Sequence, residues 1–186
     1  MAERKGRRVQ DPDPRTLSQA RTGDLRAFED IVRSTQADVF GFAWHLTRDR
    51  DLAADVTQEA FLRAFRYLDS YRQDSRFSSW LLRITHNCAM DALSKRKVTV
   101  EHSDDARSGG RPMADAAVRA ELDAALRAVS PDHRESFLLI EVLGLSYQEA
   151  ADVLGVRIGT VKSRMFRARR ALCLALADDE NEETAT

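Results

Sequence analysis

Cysteine is scarce in this 186-residue chain: Cys88 and Cys173 stand far apart, with no Cys-x-x-Cys and no Cys/His ligand spacing. That excludes a disulfide framework and a zinc site, and it points to a reducing, cytoplasmic setting with free thiols. Four prolines and eight glycines are too few for a collagen-like or Pro-rich chain. No apolar run approaches the roughly 20 residues needed to cross a bilayer, so no membrane insertion is expected. Met1 to Arg15 is charged and lacks an apolar segment, so no secretory signal is expected either. An excess of one charge is also missing: 29 Lys plus Arg against 30 Asp plus Glu give a net charge of −1. A balance so close to zero argues neither for nor against a nucleic-acid partner, because a basic surface is easily offset elsewhere. What is present, 43% hydrophobic and 32% charged residues, suits a soluble globular protein. At about 100–200 residues per domain, this length fits one ordinary domain or two small ones.

Along the chain the apolar pattern is helical throughout. Residues 1–15, with Arg4, Lys5, Arg7 and Arg8 followed by Asp11-Pro12-Asp13-Pro14, are expected to be a disordered tail. Leu25, Phe28, Val32, Thr35, Val39, Phe42 and Leu46 recur at steps of three and four, one stripe of a long amphipathic helix. Arg48-Asp49-Arg50 breaks it. A second pattern follows from Asp51 to Asp69, and a third begins near Phe77, where Phe77, Leu81, Ile84 and Cys88 share a face, and ends in Lys95-Arg96-Lys97. Residues 98–113 lose the periodicity and gain Gly109-Gly110-Arg111-Pro112, a flexible linker. Helical stretches are expected again over about 114–128, 132–143, 146–153 and 158–176, before an acidic tail over 178–186. No segment shows period-two alternation. The expected fold is therefore all-α: two small helical domains, 16–97 and 114–177, joined by a flexible linker, the second containing a helix-turn-helix.

The helix-turn-helix rests on residues 145–162. Ser146 and Glu149 have capping-box spacing, Gly155 suits a left-handed turn, and Thr160 is placed to cap the next helix. Ala150, Val153, Leu154, Val156 and Val161 supply a small core. In such a motif the second helix projects into the major groove. At 100° per residue, Val161, Met165, Ala168 and Leu172 fall on the side facing the core. Lys162, Ser163, Phe166, Arg167 and Arg170 fall opposite, with Arg164 and Arg169 on the flanks. From Gly155 to Leu172 there are six basic residues and no acid, the stripe that phosphate neutralisation requires. Lys162, Ser163 and Phe166 are placed for base edges or a thymine methyl.

In the first half, Asp55, Gln58, Glu59 and Leu62 form a mixed acidic, amide and apolar stripe, a pattern that by itself fits an ordinary solvated helix face. The third helix combines Arg83, His86, Asn87 and Met90 away from its apolar side, close in sequence to Phe77 and Trp80. Cations, amides and stacking rings together bind single-stranded nucleic acid. Trp80 fits a core anchor better than a stacking platform, His86 fits a DNA contact or a solvated side chain equally, and Cys88 reads as a small buried hydrophobe.

The order of these motifs resembles the extracytoplasmic-function (ECF) class of bacterial RNA polymerase sigma factors over about residues 16–176. Ala27-Phe28 through Leu46 looks like the first helix of that family. Asp55-Val56-Thr57-Gln58-Glu59-Ala60-Phe61 looks like its polymerase-binding segment. Residues 77–87, Phe77-Ser78-Ser79-Trp80 through Asn87, look like its melting and minus-ten segment, and Leu145 to Leu172 is similar to its minus-thirty-five reader. The resemblance implies that Asp55, Gln58, Glu59 and Leu62 dock on the clamp of core RNA polymerase. It implies that Arg83, His86, Asn87 and Met90 meet minus-ten DNA, with Asn87 at a flipped base. Thr160, Lys162, Ser163, Arg164, Phe166, Arg167 and Arg170 then meet the minus-thirty-five element. Arg157 departs from the Pro frequent in the family's turn, and Met90 stands where polar residues are common. The partners implied are core polymerase, promoter DNA and an anti-sigma factor, with no cofactor and no metal. No catalytic triad, carboxylate pair or phosphate-cradling loop is present, so a specificity subunit rather than an enzyme is expected. The rival reading is a stand-alone regulator that binds operators as a dimer.

Overall fold

The computed structural model describes residues 9–100, 126 and 129–183, and among them every regular element is helical. Four helices form the first unit: α1 (Pro14–Arg21), α2 (Leu25–Thr47), α3 (Arg50–Tyr67) and α4 (Phe77–Val100), with a 3-10 turn at Leu68–Ser70. Three more form the second: α5 (Pro131–Phe137), α6 (Tyr147–Leu154) and α7 (Ile158–Glu183), with a wide π turn at Leu138–Val142 between the first two. Apart from Leu126, the helix expected over 114–128 lies outside the described residues, as does most of the linker.

Short polar residues set the boundaries in the first unit. Asp13, Asp24 and Asp49 each sit just before a helix and accept backbone N–H groups that have no partner within it. Between α2 and α3 the chain turns through Arg48 in the left-handed region, φ 55°, and the Arg48 N–H closes on the Trp44 carbonyl at 2.8 Å. The break expected at residues 48–50 is thus a C-terminal turn followed directly by the Asp49 cap. At the start of α4 the cap comes from elsewhere: the Ser78 N–H donates to the Asp11 carboxylate at 2.9 Å.

The stripe that α2 buries differs from the expected one. Its N-terminal half buries Ala27, Ile31 and Thr35, whereas Leu25 is 61% exposed. Two nearby stripes, 25-28-32 and 27-31-35, compete at this spacing, and the second wins because Ile31 continues through Thr35 and Val39 on one face. Thr35 is tolerated there because its hydroxyl donates to the Ile31 carbonyl at 2.7 Å. Opposite it, α3 and α4 present Ala53, Ala60, Ala64 and Ala89, all fully buried. Such small side chains let the helix axes approach closely.

Residues 9–15 correct the expected tail. Val9 is buried, and α1 already starts at Pro14, behind the Asp13 carboxylate that accepts the Arg15 N–H at 2.8 Å. A Pro at the first helical position behind an Asp is a start signal; here the helix it begins also buries Leu17 and Ala20.

The two units share a core. Val9, Phe42 and Leu82 from the first cluster with Leu139, Leu143, Leu145, Ala150, Val153 and Met165 from the second. Accordingly α4 buries two faces: Phe77, Leu81 and Cys88 toward α1–α3, and Leu82 toward the second unit.

Candidate nucleic-acid interface

The second unit presents α7 as the sequence implies. The capping box is complete: the Ser146 N–H donates to Glu149 at 2.7 Å and the Glu149 N–H to the Ser146 hydroxyl at 3.2 Å. Burial would raise the Glu149 pKa. The Ser146 amide and hydroxyl, the Ser79 hydroxyl and the Arg76 guanidinium together outweigh it, so the carboxyl lies below its ordinary 4.5. Gly155 ends α6 at φ 65°, where its Cβ-free backbone is needed. Thr160 is not the cap expected of it. The helix starts at Ile158, and the Thr160 and Val161 N–H groups already close on the Arg157 carbonyl. Thr160 is therefore the third helical residue.

Val161, Met165, Ala168 and Leu172 are buried, and Lys162, Ser163, Phe166, Arg167 and Arg170 are exposed, Phe166 at 70%. An apolar ring left so open contributes nothing to the core and is available to a ligand. The two flanking arginines are engaged within the unit: Arg164 pairs with Asp132 and Arg169 with Glu141. Glu141 accordingly pushes the Arg169 guanidinium further up in pKa. Arg164, which the family resemblance implies as a DNA contact, has its side chain mostly covered and crosses to Asp132 at the start of α5.

On α4, Arg83 and Asn87 are exposed, whereas Met90 packs partly into the first core. His86 turns toward the second unit, with Nε2 3.6 Å from the Glu135 carboxylate and only 12% of the side chain exposed. Trp80 stacks with Tyr71 and Phe77 at centroid distances of 5.2 and 5.5 Å and lines the first core, the anchor expected of it. Of the basic end of α4, Arg96 is a staple: it donates to the Asp49 carboxylate at 2.7 Å. The Leu52 amide first, and Arg96 next, hold that carboxyl below its ordinary value.

The stripe on α3 is partly pinned as well. Asp55, Gln58 and Leu62 are exposed, but Glu59 is held by Arg63 Nε at 2.7 Å, and the same guanidinium reaches Asp91 of α4 at 3.1 Å. The Glu59 and Asp91 carboxylates push the Arg63 pKa up further. Arg63 was missed from the sequence; its i,i+4 spacing from Glu59 was legible, its bridge to Asp91 was not. Beside the stripe, Phe65 is 42% exposed and meets Phe28 edge to face at 5.0 Å. Among the described residues no group of three or more His, Cys, Asp and Glu stands close enough to hold a metal, and no helix is long and apolar enough to cross a membrane.

The family descriptions "Sigma-70 region 2" and "Sigma-70, region 4" match residues 31–99 and 119–172. The chain is 34% identical to an RNA polymerase sigma-H factor of Pseudomonas aeruginosa over 184 residues, covering 90% of this chain and 95% of the relative. It is 36% identical to ECF RNA polymerase sigma factor SigC of Mycobacterium tuberculosis, covering 88% and 89%. Among solved structures, the sigma factor RpoE of Bartonella quintana, in complex with the anti-sigma factor NepR, superimposes with a TM-score of 0.72 at 29% identity, covering 82% of this chain and 98% of that one.

Proposed function

The chain belongs to the sigma-70 family, as an alternative sigma factor for promoter recognition, and on that premise we propose how its surfaces divide the work. The observation that carries the proposal is the exposed face of α7, where Lys162, Ser163, Phe166, Arg167 and Arg170 stand clear behind a capped helix-turn-helix. Lys162, Ser163 and Phe166 enter the minus-thirty-five major groove. Arg167 and Arg170 neutralise flanking phosphates, a contact that adds affinity without sequence preference. Thr160 supports the first turn.

On α3, Asp55, Gln58 and Leu62 form the docking face for core RNA polymerase, with Glu59 held in place by Arg63. On α4, Arg83 and Asn87 meet the minus-ten strand, and Asn87 takes a base whose unstacking costs a few kcal/mol. His86 joins them once it is released from Glu135. Neither interface is large. Tethering both units to polymerase raises their effective concentration on the two promoter elements, so weak contacts add into a specific one. The protein contributes specificity rather than chemistry, acts in the cytoplasm and is restrained by an anti-sigma partner of its own.

Run-off transcription with purified core polymerase and a genomic fragment library tests this. New start sites are expected only when the chain is added, and Leu62→Asp is expected to weaken core binding about tenfold, since a charge on the apolar centre of a docking patch costs roughly 1–2 kcal/mol or more. Absence of new transcripts, with core binding unaltered by Leu62→Asp, sinks the reading.

A further inference from the structure

Helix α4 carries the residues assigned to the minus-ten strand, yet its own sequence supplies no cap. The Trp80 N–H closes on the Arg76 carbonyl at 3.1 Å, which puts Arg76 at the capping position. A guanidinium has donors only, so it cannot accept an orphan amide there. Asp11, 67 residues from Ser78, takes that place. Its Oδ1 accepts the Ser78 N–H at 2.9 Å, the amide that a local cap side chain would take, and its Oδ2 accepts from Arg76 Nε at 3.0 Å. Arg76 Nη2 donates in turn to the Val9 carbonyl at 2.8 Å. The residue that cannot cap α4 therefore holds its substitute in position, and the carboxylate also meets the positive end of the helix dipole.

The hold on Asp11 lies within the first unit. Asp11-Pro12-Asp13-Pro14 alternates acid and proline, and a residue before proline is confined to extended backbone. Asp13 starts α1, which buries Leu17 and Ala20 in the first core. Two successive Asp-Pro pairs thus cap two different helices, α1 locally and α4 from a distance. The Asp11 and Arg76 side chains are both largely covered, so their ion pair is less screened than one in open solvent. The turn they secure seats α4 in the core: Phe77 and Trp80 stack on Tyr71 at centroid distances of 5.6 and 5.2 Å. Arg83 and Asn87 follow within the next two turns, and both are exposed.

We propose that Asp11 is a positioning residue for minus-ten recognition: by capping α4 from a distance it keeps the first turn formed and so sets where Arg83 and Asn87 meet the strand. This rests on the minus-ten assignment of α4 above and adds to it a residue that acts through the helix. The sign of its effect is opposite to that of simple electrostatics. Removing an acid from beside a DNA-binding helix strengthens binding by relieving repulsion, whereas removing the cap weakens it. Loss of an N-terminal cap shifts the balance between a formed and a frayed turn by about fivefold, and apparent affinity falls with the fraction of molecules that remain competent.

The test uses holoenzyme reconstituted from core polymerase and the full chain, on a promoter recovered in the run-off experiment. Two labelled probes are compared by anisotropy. One is a fork whose minus-ten non-template strand is single-stranded and which lacks the minus-thirty-five element; the other is a duplex holding the minus-thirty-five element alone. Asp11→Ala is expected to bind the fork about threefold to fivefold more weakly, with affinities for core and for the minus-thirty-five duplex unchanged. Adding Arg76→Ser to Asp11→Ala supplies a local cap and should restore fork binding. A role confined to holding the N-terminal segment would not be rescued in this way, because the double variant keeps neither partner of the ion pair. Unchanged or tighter fork binding by Asp11→Ala, a loss shared equally by both probes, or a loss that Arg76→Ser does not restore overturns the proposal. A parent holoenzyme that binds neither probe removes the sigma reading instead; parent binding to the fork that Asp11→Ala leaves unaltered removes only the role of Asp11.

Discussion

The ion pairs on α7 change what its charge does at DNA. The stretch from Gly155 to Leu172 carries six basic residues and no acid, but Arg164 and Arg169 are compensated by Asp132 and Glu141. That leaves Arg157, Lys162, Arg167 and Arg170, all exposed. Each phosphate neutralised by an uncompensated cation contributes about −0.9 to the slope of log K against log salt, so four such residues give about −3.6 and six would give about −5.4. Between 50 and 200 mM salt the first predicts an affinity loss of about 150-fold from this helix, the second about 1,800-fold. Single substitutions separate the two counts. Arg167→Ala should flatten the slope by about 0.9, equivalent to a loss about 3.5-fold smaller over that range. Arg164→Ala should leave the slope where it was, because it removes a cation already matched by a carboxylate. The assay is fluorescence anisotropy of a labelled minus-thirty-five duplex titrated with the full chain over a KCl series. Equal flattening by Arg164→Ala and Arg167→Ala refutes the reasoning, since it means that Asp132 releases its partner to the phosphates.

Other consequences follow from single features. Burial first, then Arg48 and Arg134, lower the His45 pKa from 6.5 to about 4. The unfolded chain therefore binds the proton first, and stability rises with pH between about 4 and 6.5, by about 3 kcal/mol at 1.36 kcal/mol per pKa unit. Urea melts over that range should show a flatter profile for His45→Asn, and an unchanged profile contradicts the burial argument. Glu149 has a depressed pKa, so its contribution is present above 4.5 and is lost as pH falls through its lower folded value; Glu149→Gln should remove that part of the acid transition. Ser146→Ala breaks the capping box and should cost about 1 kcal/mol. Gly155→Ala should cost roughly 1–2 kcal/mol from its positive φ alone, because nothing lies within 4 Å of the Cβ it would add; a much larger loss in thermal melts contradicts that. Deleting residues 178–186 should strengthen non-specific DNA binding in about 10 mM salt and have little effect at about 150 mM, where charges are screened beyond about 8 Å.

What the sequence made legible was whatever a single helix decides for itself. The inward side of α7, Val161, Met165, Ala168 and Leu172, follows from 100° steps alone, and it is buried as expected. Ser146, Glu149 and Gly155 behave as their local chemistry dictates, because capping and left-handed turns involve residues within four positions of each other. The illegible parts depend on a second element. Leu25 carries an apolar side chain yet is mostly exposed, since α1 and α3 meet α2 one residue around the wheel. Arg96 looked like one more cation at a basic helix end, and only the fold brings Asp49 to it from 47 residues away. Val9 lies in a charged stretch with no periodicity, so nothing local marks it as buried.

The same distinction explains how a net charge of −1 serves a DNA-binding chain. Much of the compensation is local and structural: Asp132 and Glu141 hold the flanks of α7, Asp91 and Glu59 hold Arg63, and Asp49 holds Arg96. These acids tie helices together and leave Lys162, Arg167 and Arg170 as the uncompensated cations on the exposed face of α7. The acids after position 177 act otherwise. α7 runs unbroken to Glu183, so Asp178 lies about 12 Å along the axis beyond Arg170 at 1.5 Å per residue. Their influence is a field directed against the same phosphates that the face attracts, and it has the range of the Debye length. A duplex held on the first turns of α7 escapes it at ordinary salt, whereas one sliding toward the far end of the helix does not. On the proposed assignment of α7 to the minus-thirty-five groove, the charge pattern favours DNA at Lys162, Ser163 and Phe166 over DNA near Cys173.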